Sequence, residues 1–224
     1  MTIKRIIKGV SDFQNNYFNT HKKMFEQLSL GQNPDILFIT CCDSRIDPNL
    51  MTQTQPGELF IIRNFGNIIP PHGVVYSGEG ATLEYAILSL EIKHIVVCGH
   101  THCGSMKALL RLQEVSEEMP IVYNWLKVHG EPTRRLIKEN YSNYEGEELL
   151  RIAIEENVLT QIENLETYPV IRSRMHTGTL SLHAWVYEIE TGKIFAYDAS
   201  KGEYVLLDTD PFPVPNPLAL MQHK

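Results

Sequence analysis

Ile36-Leu37-Phe38-Ile39-Thr40-Cys41-Cys42-Asp43-Ser44-Arg45 and Ile95-Val96-Val97-Cys98-Gly99-His100-Thr101-His102-Cys103-Gly104 decide how this chain is read. Each opens on a short apolar run that reads as a buried strand, then breaks into a polar segment. Cys41, His100 and Cys103 are soft sulfur and imidazole donors suited to Zn²⁺. Three protein ligands leave one tetrahedral position open, the arrangement of a catalytic zinc rather than a structural one. Asp43 and Arg45, just beyond Cys41, add a carboxylate and a fixed cationic partner. The pattern points to about one zinc per chain and a bound water turned into a nucleophile.

Outward from these runs, short apolar stretches alternate with helical patterns. Leu59-Phe60-Ile61-Ile62 reads as a strand within 58–63, and 94–98 as a buried strand. Helices are expected over 47–53, 78–92 and about 103–112, with Leu83, Ala86, Ile87 and Leu90 on one face of the second. The alternation predicts an α/β fold, a parallel-core sheet flanked by helices. Further helices are expected over 121–128, 132–139 and 147–166, the last with Leu149, Ile152, Ala153, Val158, Leu159 and Ile162 as apolar positions. Leu182, Ala184 and Val186 alternate, Thr191-Gly192 turns the chain, and Ile194 and Ala196 resume, which predicts an antiparallel edge hairpin. Upstream, 11–30 reads as an amphipathic helical arm, with Ser11 and Gln14 as a capping box. Residues 1–208 are thus expected to form a single domain with 1–30 as its arm, and 209–224 a proline-rich tail. Gly78-Glu79-Gly80 lacks the third glycine of a dinucleotide fingerprint.

The chain has 224 residues, 43% hydrophobic and 21% charged, enough for a full core. Its net charge of −7 argues against a nucleic-acid or anionic-membrane partner. No apolar run approaches the roughly 20 residues that span a bilayer. Residues 1–8 carry charges but no following apolar core or cleavage site, so no secretory signal is read and a cytoplasmic location is expected. The four cysteines, Cys41, Cys42, Cys98 and Cys103, are then expected as thiols.

Plainer readings compete at each position. Cys41 and His100 are expected just past the ends of parallel strands, where open α/β sheets place ligands, and Gly99 and Gly104 bracket the second motif. Cys42 alternates away from Cys41 and is expected in the core, and Cys98 is expected to be structural. His102 is within reach of the metal in principle, but consecutive bends are expected to turn it to solvent. His183 reads as a satisfied strand histidine. Asp43 and Arg45 also fit an ordinary ion pair that locks a loop.

Cys41-x-Asp43-Ser44-Arg45 and His100-x-x-Cys103-Gly104 resemble the paired zinc motifs of the β-class carbonic anhydrases. Pro56-Gly57-Glu58-Leu59-Phe60 and Arg63-Asn64 resemble the segment between them, and Glu84-Tyr85-Ala86 the helix before the second. Phe25-Glu26-Gln27-Leu28-Ser29, Asp47-Pro48-Asn49-Leu50 and Asn164-Leu165-Glu166-Thr167-Tyr168-Pro169 are similar to the cyanobacterial, carboxysome-associated branch. The resemblance implies zinc on Cys41, His100 and Cys103, reversible hydration of CO2 to bicarbonate, and Asp43 accepting a hydrogen bond from zinc hydroxide while Arg45 holds its carboxylate. It also implies that Gln32 binds bicarbonate, that Phe60 and Tyr85 line an apolar CO2 pocket partly supplied across a dimer interface, and that Gly104 offers a backbone donor. A homodimer or higher even oligomer follows, with a carboxysome location and scaffold protein as a candidate partner. Phe38 stands where one bicarbonate-gated subgroup has tryptophan, so together with Gln32 it implies the plant-type, non-gated subgroup. Three departures stand out. Cys42 replaces a serine; Phe65 replaces a smaller residue near the pocket, which would narrow CO2 access. This chain stops at Lys224, whereas carboxysomal relatives dock through a long extension after the hairpin, which counts against docking by that route. The same site would also suit hydrolysis of carbon disulfide or carbonyl sulfide, and a low-activity paralogue with a scaffold or sensor role is a further alternative.

Overall fold

Alternate residues of the two quoted runs face opposite sides of one sheet. Leu37, Ile39 and Cys41 of β1 (Ile36–Cys41) join Ile95 and Val97 of β3 (His94–His100) in the main core. Phe38, Val96 and Cys98 form a smaller cluster on the other side, where Phe38 meets Trp185 edge to face at 6.1 Å. Such two-sided burial is what makes each strand a near-continuous apolar run. The structure, a computed structural model, describes residues 2–207, so the stretch expected as a proline-rich tail lies outside the described residues.

The chain divides into two compact units, residues 1–33 and 34 onward. The first holds α1 (Ile3–Asp12), a π-turn (Phe13–Tyr17), α2 (Phe18–Thr20) and α3 (Lys22–Leu28). The helix therefore starts well before the expected Ser11. Ile3, Ile6, Ile7 and Val10 recur at helical spacing, and that stripe carries the helix through Ser11. Ser11 forms no capping box; its carbonyl and hydroxyl accept from Asn15 Nδ2 at 2.9 and 3.1 Å. Phe13, Phe18 and Phe25 cluster, the last two 5.0 Å apart.

The second unit is a six-stranded mixed sheet in the order β2-β1-β3-β4-β5-β6, with β2 (Leu59–Asn64), β4 (Ser181–Glu188), β5 (Lys193–Asp198) and β6 (Glu203–Leu206). Strands β2, β1, β3 and β4 run parallel; β5 and β6 are antiparallel additions. The expected hairpin turns at Thr191-Gly192, but its first arm belongs to the parallel core and β6 extends the edge beyond it. The chain passes from β1 to β2 on one side, then to β3 on the other. The strand order therefore reverses at β1, and the crevice at the carboxyl ends of β1 and β3 is the topological switch point.

The helices are α4 (Pro48–Thr52), α5 (Gly78–Leu88), α6 (Gly104–Leu110), α7 (Pro120–His129), α8 (Glu131–Asn140), α9 (Gly146–Glu166) and α10 (Pro169–His176). Asp47 caps α4, accepting from Leu50 N–H at 3.2 Å, and Ser77 caps α5. Helix α10 carries no strong apolar period, and the sequence reading left it out. Helix α9 departs from expectation in its buried face. Ala153 and Val158 are buried as expected, but Leu149, Ile152, Leu159 and Ile162 are only half-buried, while Asn157, Gln161 and Asn164 go inside. The helix packs on both β3 and β4 and carries α6, α8 and α10 along its flanks, so no single apolar stripe suffices. Among the described residues no helix is long and apolar enough to cross a membrane.

Candidate metal centre

Cys41 is the last residue of β1 and His100 the last of β3, so both donors stand at the carboxyl ends of neighbouring parallel strands. Both are expected just past the strand ends; β3 instead runs past Cys98 to His100, because Gly99 and His100 go on pairing with Val186 and Tyr187 of β4, and α9 packs over that end. A Cβ at Gly99 would meet Val158 at 2.8 Å and Ile154 at 3.0 Å, so only glycine admits that helix. Beyond His100 the chain bends sharply, with His102 left-handed at φ 56°, and Cys103 caps α6. The ligand atoms of Cys41, His100 and Cys103 all lie within 4.8 Å of one another, and all three residues are buried.

The hydrogen bonds around this group decide what it can hold. His100 Nδ1 lies 2.9 Å from the Thr101 carbonyl, which can only accept, so the ring proton sits on Nδ1. Nε2 is left with a free lone pair, fully buried and without a hydrogen-bond partner among the described residues. An orphaned buried nitrogen is costly, and a cation is the partner that an imidazole lone pair between two sulfurs would take. The Cys41 thiol is drawn well below its ordinary value, first by its neighbour Cys103, against its own burial. Cys103 is pushed up by the Cys41 sulfur and by burial. One negative sulfur is thus already favoured, and two thiolates with one neutral imidazole fit Zn²⁺.

Asp43 stands beside this group, its Oδ2 3.9 Å from His100 Nε2. Arg45 grips the carboxylate with both arms of its fork, Nε to Oδ1 at 2.9 Å and NH2 to Oδ2 at 2.7 Å. That pairing first, and the Arg45 backbone N–H after it, hold Asp43 well below the usual carboxylate range. The same guanidinium donates to the His102 carbonyl at 3.2 Å and so ties the two motif loops together. Arg63, not singled out from the sequence for any role, donates to the carbonyls of Cys41 at 3.1 Å and Asp43 at 2.7 Å. Its signals were its place at the end of a strand that would pair with β1 and the likeness of Arg63-Asn64 to the family segment between the motifs.

Other residues sort plainly. His102 turns outward, as expected, and pairs with Glu147 at 3.3 Å and with Glu190. Cys42 does not enter the core; it is exposed, because it lies past the end of β1, where the sheet's smaller apolar cluster has stopped. Cys98 is fully buried and its thiol is pushed up to about 12 by that burial. His183 faces His94, Nε2 to Nδ1 at 3.3 Å. Phe60 and Tyr85 pair with each other at 6.1 Å, Tyr85 being half exposed. Gly104 opens α6 with open space where a Cβ would stand. Phe65 packs against the main core. Gln32 is exposed in the N-terminal unit. The structure therefore gathers Cys41, Asp43, Arg45, His100 and Cys103 at one place.

A family model described as carbonic anhydrase matches residues 36–194. A carbonic anhydrase of Synechocystis sp. is 56% identical over 203 residues, covering 91% of this chain and 74% of the relative. One of Synechococcus elongatus is 51% identical over 213 residues, covering 95% and 78%. The solved β-carbonic anhydrase CcaA superposes with a TM-score of 0.90 at 56% identity, over 92% of this chain and 99% of that one. Two tetrameric β-carbonic anhydrases from the ascomycete Sordaria macrospora give a TM-score of 0.75 at 28% identity, over 87% and 95%. With its motifs at the switch point of the same mixed sheet, the chain belongs to the β-class carbonic anhydrase family, on its cyanobacterial branch.

Proposed function

We propose that this protein hydrates CO2 reversibly to bicarbonate and a proton, with one zinc ion held by Cys41, His100 and Cys103. The observation that carries the reading is the buried, unpaired Nε2 of His100 between two cysteine sulfurs, with an arginine-clamped carboxylate beside it. Zinc bound there supplies the Lewis acidity that activates a water near neutral pH. Asp43, kept ionised by Arg45, would accept a hydrogen bond from a water held beside the metal and so orient it toward CO2. Arg45 also keeps the carboxylate from swinging onto the metal, since both its oxygens are engaged. The assignment of Phe60, Tyr85 and Gly104 to substrate contact, and of Gln32 to bicarbonate, rests on the family resemblance.

Assembly into a homodimer or higher even oligomer is part of this reading. It is supported by the tetrameric relatives and by exposed apolar side chains at Ile3, Ile7, Val10 and, in the second unit, Tyr76, Tyr85 and Leu88. A role in inorganic carbon supply, with the carboxysome as its site, rests on the resemblance to the cyanobacterial branch alone. Stopped-flow CO2 hydration on zinc-loaded protein tests the activity, and light scattering at micromolar concentration tests the assembly. A hydration rate no faster than buffer, from protein carrying about one zinc per chain, sinks the enzyme reading. A monodisperse monomer sinks the assembly.

A further inference from the structure

The Thr101 carbonyl accepts from His100 Nδ1 at 2.9 Å. That bond sets the tautomer and orientation of the ring, so whatever fixes the Thr101 carbonyl also fixes where Nε2 points. The support comes from the turn at 189–192 between β4 and β5. Thr101 N–H donates to the Tyr187 carbonyl at 3.0 Å, where the β3–β4 pairing ends. Ile189 N–H donates to Thr101 Oγ1 at 3.0 Å. The hydroxyl accepts that bond and gives its own proton to Glu190 Oε2 at 2.8 Å. A β-branched side chain bonded at both its lone pair and its proton is held in one rotamer.

The other oxygen of the same carboxylate, Oε1, bonds His102 Nε2. Glu190 thus holds the two residues that flank one peptide plane, and that plane carries the carbonyl facing His100. The grip opposes a real tendency to turn. His102 is left-handed at φ 56°, a conformation that costs energy for a residue with a Cβ. Relaxing that φ would rotate the plane relative to Cys103 and shift one ligand against the other. Arg45 holds the next plane through the His102 carbonyl at 3.2 Å. Glu147 also reaches His102, at Nδ1 and 3.3 Å, but its second oxygen goes to Lys107 at 3.6 Å, so it grips one side of the plane only.

We propose that Glu190 is a positioning residue of the metal centre. From the hairpin turn it locks the Thr101–His102 peptide, and through the Thr101 carbonyl it keeps the His100 ring aimed between Cys41 and Cys103. Partners of a ligating histidine act on metal affinity through ring orientation, and Glu190 acts one step behind that partner. This rests on the metal centre proposed above, but its readouts do not need turnover.

The test loads the full chain with Co²⁺ and follows the His100 ring N–H as a paramagnetically shifted proton resonance that exchanges with solvent. Glu190→Ala removes both grips, and Glu190→Gln keeps an acceptor for the Thr101 hydroxyl. Glu147→Ala, which takes an exposed carboxylate from His102 alone, is the control. In Glu190→Ala the resonance should move and broaden as its proton exchanges faster with water, and zinc release to a chelator should quicken about 10-fold. Glu190→Gln should stay close to the parent and Glu147→Ala should match it. Thr101→Val, which removes the hydroxyl between turn and peptide, should change at least as much as Glu190→Ala. If that variant does not fold, Glu190→Ala decides alone, since its side chain is half exposed. An unmoved resonance in Glu190→Ala, or an equal shift in Glu147→Ala, overturns the proposal. A parent that shows the resonance but no CO2 hydration overturns the enzyme reading and leaves this one standing. A parent that binds no cobalt overturns both.

Discussion

His94 and His100 stand at opposite ends of β3 and differ in one respect that matters. At the amino end, His94 Nδ1 finds His183 Nε2 at 3.3 Å, and the two rings satisfy each other. At the carboxyl end, His100 spends Nδ1 on the Thr101 carbonyl and leaves Nε2 buried and unpaired between Cys41 and Cys103. Residue type is the same; the unmet lone pair is what distinguishes a ligand from a structural histidine. The surroundings follow suit. The carboxyl end collects an arginine-clamped carboxylate, while the amino end carries an exposed Asp35–Lys93 pair between the starts of β1 and β3.

The largest expected difference between the two ends is in metal content. Cys41→Ser, His100→Ala and Cys103→Ser should each drop zinc from about one per chain to near none, because a three-ligand site does not hold with two. His94→Gln and His183→Gln should leave it unchanged. Elemental analysis of dialysed protein checks both halves, and zinc retained in the first set erases the distinction.

Next comes Arg45→Ala. Freed from its clamp, Asp43 can turn toward the metal, and turnover should fall about 100-fold, as for loss of a preorganised electrostatic group, with zinc still bound. Equal turnover per folded molecule would reduce Asp43–Arg45 to a loop-locking ion pair. Arg63→Met should have a smaller effect. It removes charge-assisted bonds to the Cys41 and Asp43 carbonyls from an exposed side chain, at a cost of about 1 kcal/mol in stability and a several-fold loss of turnover. Denaturant melts and rates on the same preparation check it; a stability loss without any rate change would mean that the clamp does not reach the chemistry.

The smallest effect belongs to the amino end and concerns pH. Burial first, and His94 second, lower His183 to about 4. The unfolded chain, with histidine near its ordinary value of about 6.5, then binds more protons than the folded one between those two values. Stability contributed by neutral His183 is therefore full above about 6.5 and is lost as pH falls toward 4. The parent should lose about 2 kcal/mol between pH 7 and 5, and His183→Gln less, in thermal melts at both pH values. Parallel curves would show that the pair titrates as exposed histidines do.

The parallel sheet, the helices over 47–53 and 78–92, and the three donors at Cys41, His100 and Cys103 were legible in the chain itself. Each rests on a local period or on short spacing, and those survive folding. The N-terminal helix began earlier than its capping signal, because the Ile3, Ile6, Ile7 and Val10 stripe outweighs a serine that can be accommodated inside a helix. Cys42 was misplaced because alternation alone says which side a residue faces, and only the end of the sheet says whether anything lies there to cover it. Asn157 and Gln161 carry no hydrophobic signal, and their burial follows from a loop ninety residues away in sequence that needs hydrogen-bond partners. Composition and spacing determined which atoms could bind a metal and that strands would carry them. Tertiary structure decided which lone pair stays free, which carboxylate is clamped and which side chains of α9 satisfy the loop after β2, because those depend on donors and acceptors brought together across the whole fold.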